Sequence, residues 1–219
     1  MMQRMARAGI PDRSAAPARL RSSAMDPRAV RSRAALHAAV LEATREQPIA
    51  AVTAAALCRA AGVTRDTFYR HAASPAALLA DALRAELEGV IATFGDERGR
   101  MLAASGGFRA GTRALLAHVA EHEVVYRHAL QSDASSEVRA MLVGFIRGAL
   151  VAHALAEPGG GEDALALEVA AAYAAAGTVG AIDAWMRSTP LDVERGTSLI
   201  MAASPDYWLA STGEEHPTA

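Results

Sequence analysis

The chain is expected to fold as an all-α protein, and three observations point there. Apolar residues make up 52 % of its 219 residues and aromatics only 5 %, so small alanine side chains, the best helix formers, must supply much of the core. Proline and glycine fall mainly at the breaks between runs of helical periodicity. No stretch keeps the alternation of apolar and polar residues that marks a strand. The length suits one or two domains with a sizeable core.

The charge is uneven. Residues 1–70 hold 12 arginines against 5 acidic residues, a net +7, while residues 71–219 hold 10 against 19, a net −9, which together give the formal −2. All 22 basic side chains are arginine, a residue suited to bidentate contacts with phosphate and guanine. An electropositive first third ahead of an acidic remainder is expected where only the first third meets nucleic acid. Cys58, the single cysteine, excludes an intrachain disulfide and is expected to be a small buried hydrophobe. No apolar run is read as a membrane span and no signal segment is read at the N-terminus, so a cytoplasmic location and no membrane partner are expected.

Residues 1–30 are rich in Arg, Ala, Ser and Pro and are expected to be a disordered arm, either touching DNA or an over-long start with Met25 nearer the true beginning. From Val30 to about Gln47, Leu36, Ala39, Val40 and Ala43 recur at helical spacing, with Arg31 and Arg33 at the front and Pro48 after the end. Thr53 then caps a short helix carrying Leu57, which Gly62 terminates in a left-handed conformation. Val63 turns back to the core, and Thr64 caps a second short helix with Phe68 on its apolar side. Two short helices around a tight turn read as a helix-turn-helix, in which the second helix enters the major groove. Arg65 and Thr67 are the base-edge candidates; Tyr69, Arg70 and His71 are the candidates for contacts to the phosphate backbone. Ser74 and Pro75 cap and start the next helix.

Over this stretch the sequence resembles the TetR family of bacterial transcriptional regulators. Thr53, Leu57-Cys58, Ala61-Gly62-Val63-Thr64, Thr67-Phe68-Tyr69-Arg70-His71 and Leu78-Leu79 stand in the family's order and spacing. Ala72 replaces the usual phenylalanine, and Pro75 replaces the usual phosphate-binding lysine. The resemblance implies an N-terminal three-helix DNA-binding domain over residues 31–75, a C-terminal helical ligand-binding and dimerisation domain over 76–204, and a polar tail over 205–219. It also implies a ligand-responsive repressor, not an enzyme, that binds a pseudo-palindromic double-stranded operator as a homodimer and responds to a small-molecule effector. Arg31, Arg33 and the cap Thr53 join the reader residues as DNA-binding candidates on this basis.

The rest of the chain reads as further helices. One from Pro75 to about Phe94 carries Leu78, Leu79, Leu83, Leu87, Val90 and Ile91, and is expected to be the only packed link between reader and body. Others follow over about Phe108–His122, Val124–Gln131, Ser135–Ala156, Glu162–Arg187 and Pro190–Ala203, with Gly99 to Gly107 and Pro158 to Gly161 as loops. Ala170, Ala174, Gly177 and Ala181 form a small-residue stripe that, with Trp185, resembles the face by which TetR-type proteins dimerise. His122, Tyr126, Phe145, His153, Tyr173 and Trp185 are the candidates to line a ligand pocket.

The sharpest enzymatic pattern is His118-Val119-Ala120-Glu121-His122, in which two histidines share a helix face as zinc ligands do, with Glu121 as a possible base. It places no third ligand, so structural or pocket-lining histidines are expected, with no metal and no cofactor. Nucleophile-elbow, P-loop and dinucleotide glycine signatures are absent from the sequence. The alternatives to a regulator are a sequence-independent DNA-binding protein and a zinc hydrolase using this segment.

Overall fold

The computed structural model of the protein describes residues 26–92, 107–130, 136–156 and 163–204. The expected arm before residue 26, the polar tail and the two glycine-bearing loops, except Gly107, lie outside them. Among the described residues there are helices and no strand. They run α1 (Pro27–Glu46), α2 (Ala54–Ala61), α3 (Arg65–His71), α4 (Pro75–Ala92), α5 (Gly107–Glu121), α6 (Glu123–Leu130), α7 (Ser136–Ala156), α8 (Ala164–Trp185) and α9 (Val193–Ala203).

α1 starts earlier than Val30 because Pro27 opens the helix instead of interrupting it. Asp26 accepts the Arg28 N–H at 2.9 Å, and a first-turn proline lacks only a donor that would have no helical partner. Thr53 accepts the Ala56 N–H at 3.2 Å to start α2. Gly62 ends it at φ 64° and ψ 32°, where a Cβ is strained, while the Val63 N–H reaches back to the Cys58 carbonyl at 3.0 Å. Thr64 caps α3 through the Thr67 N–H at 3.2 Å, and Ser74 caps α4 through Ala77 at 3.0 Å. Each such cap is worth about 1 kcal/mol.

α1 and α4 make the frame on which α2 and α3 sit. Leu36 and Val40 of α1, Leu57 of α2, Phe68 of α3 and Leu78, Leu79 and Leu83 of α4 are fully buried together. Cys58 is buried and unpaired among them. Outside this core a polar clamp joins the frame. Asp81 of α4 accepts Arg33 Nη2 at 2.7 Å and Arg33 Nε at 3.0 Å, and it also pairs with His37 Nε2 at 2.8 Å.

The body packs behind α4. α7 and α8 lie side by side, α7 also covers α4, and α5 packs against α4 and α9. α4 is not the only packed link to the reader domain, as the sequence led us to expect. α6 packs on α1, and His128 Nδ1 lies 3.1 Å from the Thr44 carbonyl oxygen. The contact joins segments 84 residues apart, so no local pattern announces it.

Two helical segments, Ser136–Leu155 and Ala164–Trp185, are long and apolar enough to cross a membrane by length and composition alone, contrary to the expectation from the sequence. Alanine raises their hydropathy without adding bulk, and here the two pack on each other, with Leu142, Ile146, Leu150, Leu167, Ala171, Ala175 and Val179 buried in the core. At the far end Trp185 is buried against Gly196, where a Cβ would come within 2.6 Å of the indole nitrogen, and that nitrogen donates to the Asp192 carbonyl at 3.0 Å. Trp185 therefore fixes the α8–α9 corner from the inside and is not part of an exposed dimer face.

The clamp makes a prediction with a definite pH sign. Burial works against the Asp81 charge, but the hydrogen bonds from Arg33 and His37 outweigh it and hold the carboxyl below its ordinary value of 3.8. Such a group adds stability that is present above the unfolded value and is lost as pH falls through the folded one. Asp81→Asn should lower stability at neutral pH by about 1 kcal/mol, the upper end for a half-exposed pair. Urea melts should show this gap closing in acid; a gap that persisted there would contradict the assignment.

Candidate nucleic-acid interface and effector cavity

The reader α3 is seven residues long and is held by one aromatic. Phe68 is fully buried, whereas its neighbour Tyr69 is 60 % exposed and meets it edge-on at 5.2 Å. Burying the phenylalanine is worth about 1.5–3 kcal/mol, which makes it the anchor that orients the other face outward. On that outward face Arg65, Asp66 and Arg70 are exposed and Thr67 is half-buried. Among the described residues Arg65 has no ion-pair partner. Arg70 Nη2 donates to Thr67 Oγ1 at 3.2 Å, Arg70 Nε lies 3.8 Å from Asp66 Oδ2, and Thr64 and Thr67 hydroxyls meet at 3.0 Å.

His71 and Arg33 are differently engaged. His71 Nε2 lies 2.9 Å from the Ser32 hydroxyl, tying α3 to α1. Burial first, and then the positive charges of Arg70, Arg33 and His37, lower its pKa and favour the neutral ring. A phosphate contact from His71 is therefore a hydrogen bond, not an ion pair. Arg33 is occupied by Asp81, while Arg31 is exposed on the first turns of α1 beside the equally exposed Arg28. Sequence reasoning passed over Asp81, His37 and Ser32, because their partners lie 39 to 48 residues away.

A cavity of about 130 Å³ opens between α4, α5, α7 and α8. Leu87, Val90 and Ile91 line it from α4, Phe108, Gly111, Thr112 and Leu115 from α5, Phe145, Ile146, Leu150 and His153 from α7, and Thr178 from α8. Of the six pocket candidates only Phe145 and His153 are here. His153 Nε2 is buried without a hydrogen-bond partner, a polar handle in an otherwise apolar wall. Tyr173 is 75 % exposed on α8, and Trp185 belongs to the α8–α9 corner. Phe108, Thr112 and Thr178 complete the lining; their helical spacing alone did not distinguish them from core.

His122 and Tyr126 lie instead in a buried polar cluster with His118 and Glu86. The imidazole rings are 4.7 Å apart, and Tyr126 meets His118 edge-on at 5.8 Å. Glu86 Oε2 of α4 approaches His122 Nε2 at 3.1 Å, close enough to pair but not aligned as a hydrogen bond. Burial, followed by the neighbouring His122, lowers the His118 pKa to about 4, and burial together with Glu86 pushes the Tyr126 hydroxyl up. Glu121, the acid of the zinc-peptidase pattern, is exposed on the helix and does not share in this cluster.

A buried-anchor helix-turn-helix presenting arginine, threonine and tyrosine outward, on a separate helical body, defines a DNA-binding transcriptional regulator. Residues 36–82 match the family described as "Bacterial regulatory proteins, tetR family". The matched residues hold α2, α3, most of α1 and the front of α4, so the likeness to that family lies in the DNA-binding domain. A comparison with curated proteins gave no match.

Arg65 is the reader cation without a competing internal partner, so its loss should be felt as lost discrimination. Arg65→Ala is expected to cost about 1–3 kcal/mol at the operator and to relax preference at one base pair per half-site, whereas Tyr69→Phe should weaken all sequences alike. Titrations against operator and random duplexes read the difference, and equal losses on both for Arg65→Ala would contradict it.

Proposed function

We propose that the protein is a ligand-responsive TetR-type repressor that acts in the cytoplasm as a homodimer on a pseudo-palindromic operator. The observation that carries this reading is the double duty of α4. Its front half is clamped to α1 through Asp81, and its rear half lines the cavity through Leu87, Val90 and Ile91. A small, mainly apolar effector entering between these helices would bear directly on α4. Two readers enter successive major grooves only at about 34–36 Å spacing, so a modest tilt of α4 in each subunit releases the DNA. The effector must bind the DNA-incompetent arrangement more tightly, and by linkage the operator weakens effector binding by the same factor. In this reading Arg65 and Thr67 reach base edges, the exposed Arg31 and Arg70 contact phosphate, and Thr53, Thr64, Tyr69 and His71 help position the backbone. Arg33 acts mainly through the clamp.

Dimerisation is supported by the face of α8. Leu165, Val169 and Tyr173, at successive four-residue steps, are 75 %, 62 % and 75 % exposed, and Leu199 of α9 is 57 % exposed. Beside them Ala174, Gly177 and Ala181 of the small-residue stripe line a shallow groove with Phe108 and Ile200. A second copy laid across α8 and α9 covers this apolar surface, and Ala170 completes the stripe; Trp185 supports it from behind.

Two measurements test the reading. Gly177 has open space where a Cβ would stand, so Gly177→Arg is compatible with the monomer fold and should yield monomers in sedimentation, with operator affinity lost as a consequence. An unchanged dimer would remove α8 from the interface. Separately, a screened ligand that occupies the cavity should weaken operator binding, by at least about 5-fold for a coupling of 1 kcal/mol. A ligand that binds there without changing operator affinity would refute the switch, and equal affinity for operator and random DNA at physiological salt would favour a sequence-independent binder.

A further inference from the structure

The buried cluster of Glu86, His118 and His122 is unused by the reading above, and it is the strongest unexplained chemistry in the molecule. His118 stands in the last turn of α5 and His122 just after its end, with the His122 N–H on the His118 carbonyl at 3.1 Å, and α4 supplies Glu86 to the cluster. One ligand atom from each lies within 4.8 Å of the other two. His118 is 5 % and His122 8 % exposed, yet His118 Nε2 and His122 Nδ1 have no hydrogen-bond partner, and neither does the fully buried Tyr126 hydroxyl. Buried polar atoms are nearly always satisfied, so unpartnered atoms on residues whose ligand atoms also lie this close together mark a missing partner. Two facing imidazoles with acceptor lone pairs, plus a carboxylate, are a donor set for a cation and not for an anion.

We propose that Glu86, His118 and His122 form a site for one divalent transition-metal ion per chain, with zinc the best match. Two imidazole nitrogens and a carboxylate oxygen are an established zinc ligand set, and they leave one position for water. Bonds of about 2.0–2.1 Å place tetrahedral ligand atoms about 3.3–3.5 Å apart. The pair His122 Nε2 and Glu86 Oε2, at 3.1 Å, is near that spacing already, and binding draws the other ligand atoms, now within 4.8 Å, closer together. An ion here clamps α4 to α5, five residues after the Asp81 clamp to α1. The site binds and does not hydrolyse: Glu121, the residue a peptidase would use as base, is exposed and outside the ligand set.

The test uses the full chain stripped with a chelator and titrated with Co²⁺. One equivalent should produce the visible ligand-field bands of a low-coordinate nitrogen and oxygen site, and Zn²⁺ should displace them and raise the thermal midpoint. Glu86→Gln keeps shape at a half-exposed carboxylate and should fold normally; it and His122→Gln should weaken the metal by at least about 10-fold, since even changes to second-shell partners cost 10–100-fold. Glu121→Gln should bind like the parent. Absence of the bands with no stoichiometric zinc, or zinc binding indifferent to both Glu86→Gln and His122→Gln, overturns the site. Operator binding by the stripped protein is read separately, so a failed metal site and a failed regulator reading give different results.

Discussion

The fold depends on burying α4 from two sides at once. Leu78, Leu79 and Leu83 enter the core shared with α1 and the reader, while Leu87, one turn later, faces the cavity between α5 and α7. A helix apolar around much of its circumference has no stable orientation alone, so the reader domain and the body each supply a wall that the other lacks. The Asp81 clamp then sets which way α4 faces, because a leucine-rich helix can rotate among near-equivalent apolar packings but a bidentate pair to Arg33 cannot follow. The second link, α6 on α1 with His128 beside the Thr44 carbonyl, joins the body to the reader domain independently of α4.

The alanine-rich body solves a different problem. With few aromatics, its helices gain dispersion contacts by close approach and not by large side chains. α7 and α8 pack side by side with Leu142, Ala171, Ala175 and Val179 all buried, and the Gly196–Trp185 contact is the extreme case, where the absence of a Cβ admits an indole. The same economy leaves α8 with an apolar outer face. Its length and hydropathy resemble a membrane span, but its exposed Leu165, Val169 and Tyr173 adjoin the small-residue groove expected of a helix that packs on another protein surface.

Cavity and polar cluster share α4 and α5 yet differ in chemistry. The cavity is apolar with one unsatisfied histidine, and the cluster is polar and collapsed, with histidine rings only 4.7 Å apart. Both touch α4, which also packs on the reader domain.

The sequence by itself determined the all-α class, most helix boundaries to within a few residues, and the reader with its caps. These are local matters, since Thr53, Gly62, Thr64 and Phe68 act on neighbours within one or two turns, where spacing is geometry. Two histidines at four-residue spacing were equally legible as a shared face. What only the tertiary structure decided were partners distant in the chain: Asp81 for Arg33, Ser32 for His71, Thr44 for His128, and Glu86 for His118 and His122. It also divided the aromatic residues, sending Phe145 and His153 to the cavity, Trp185 to a corner and Tyr173 to the surface. Helical periodicity states which residues share a face; what that face meets follows from how long-range burial orders the helices, and no window of sequence contains that information.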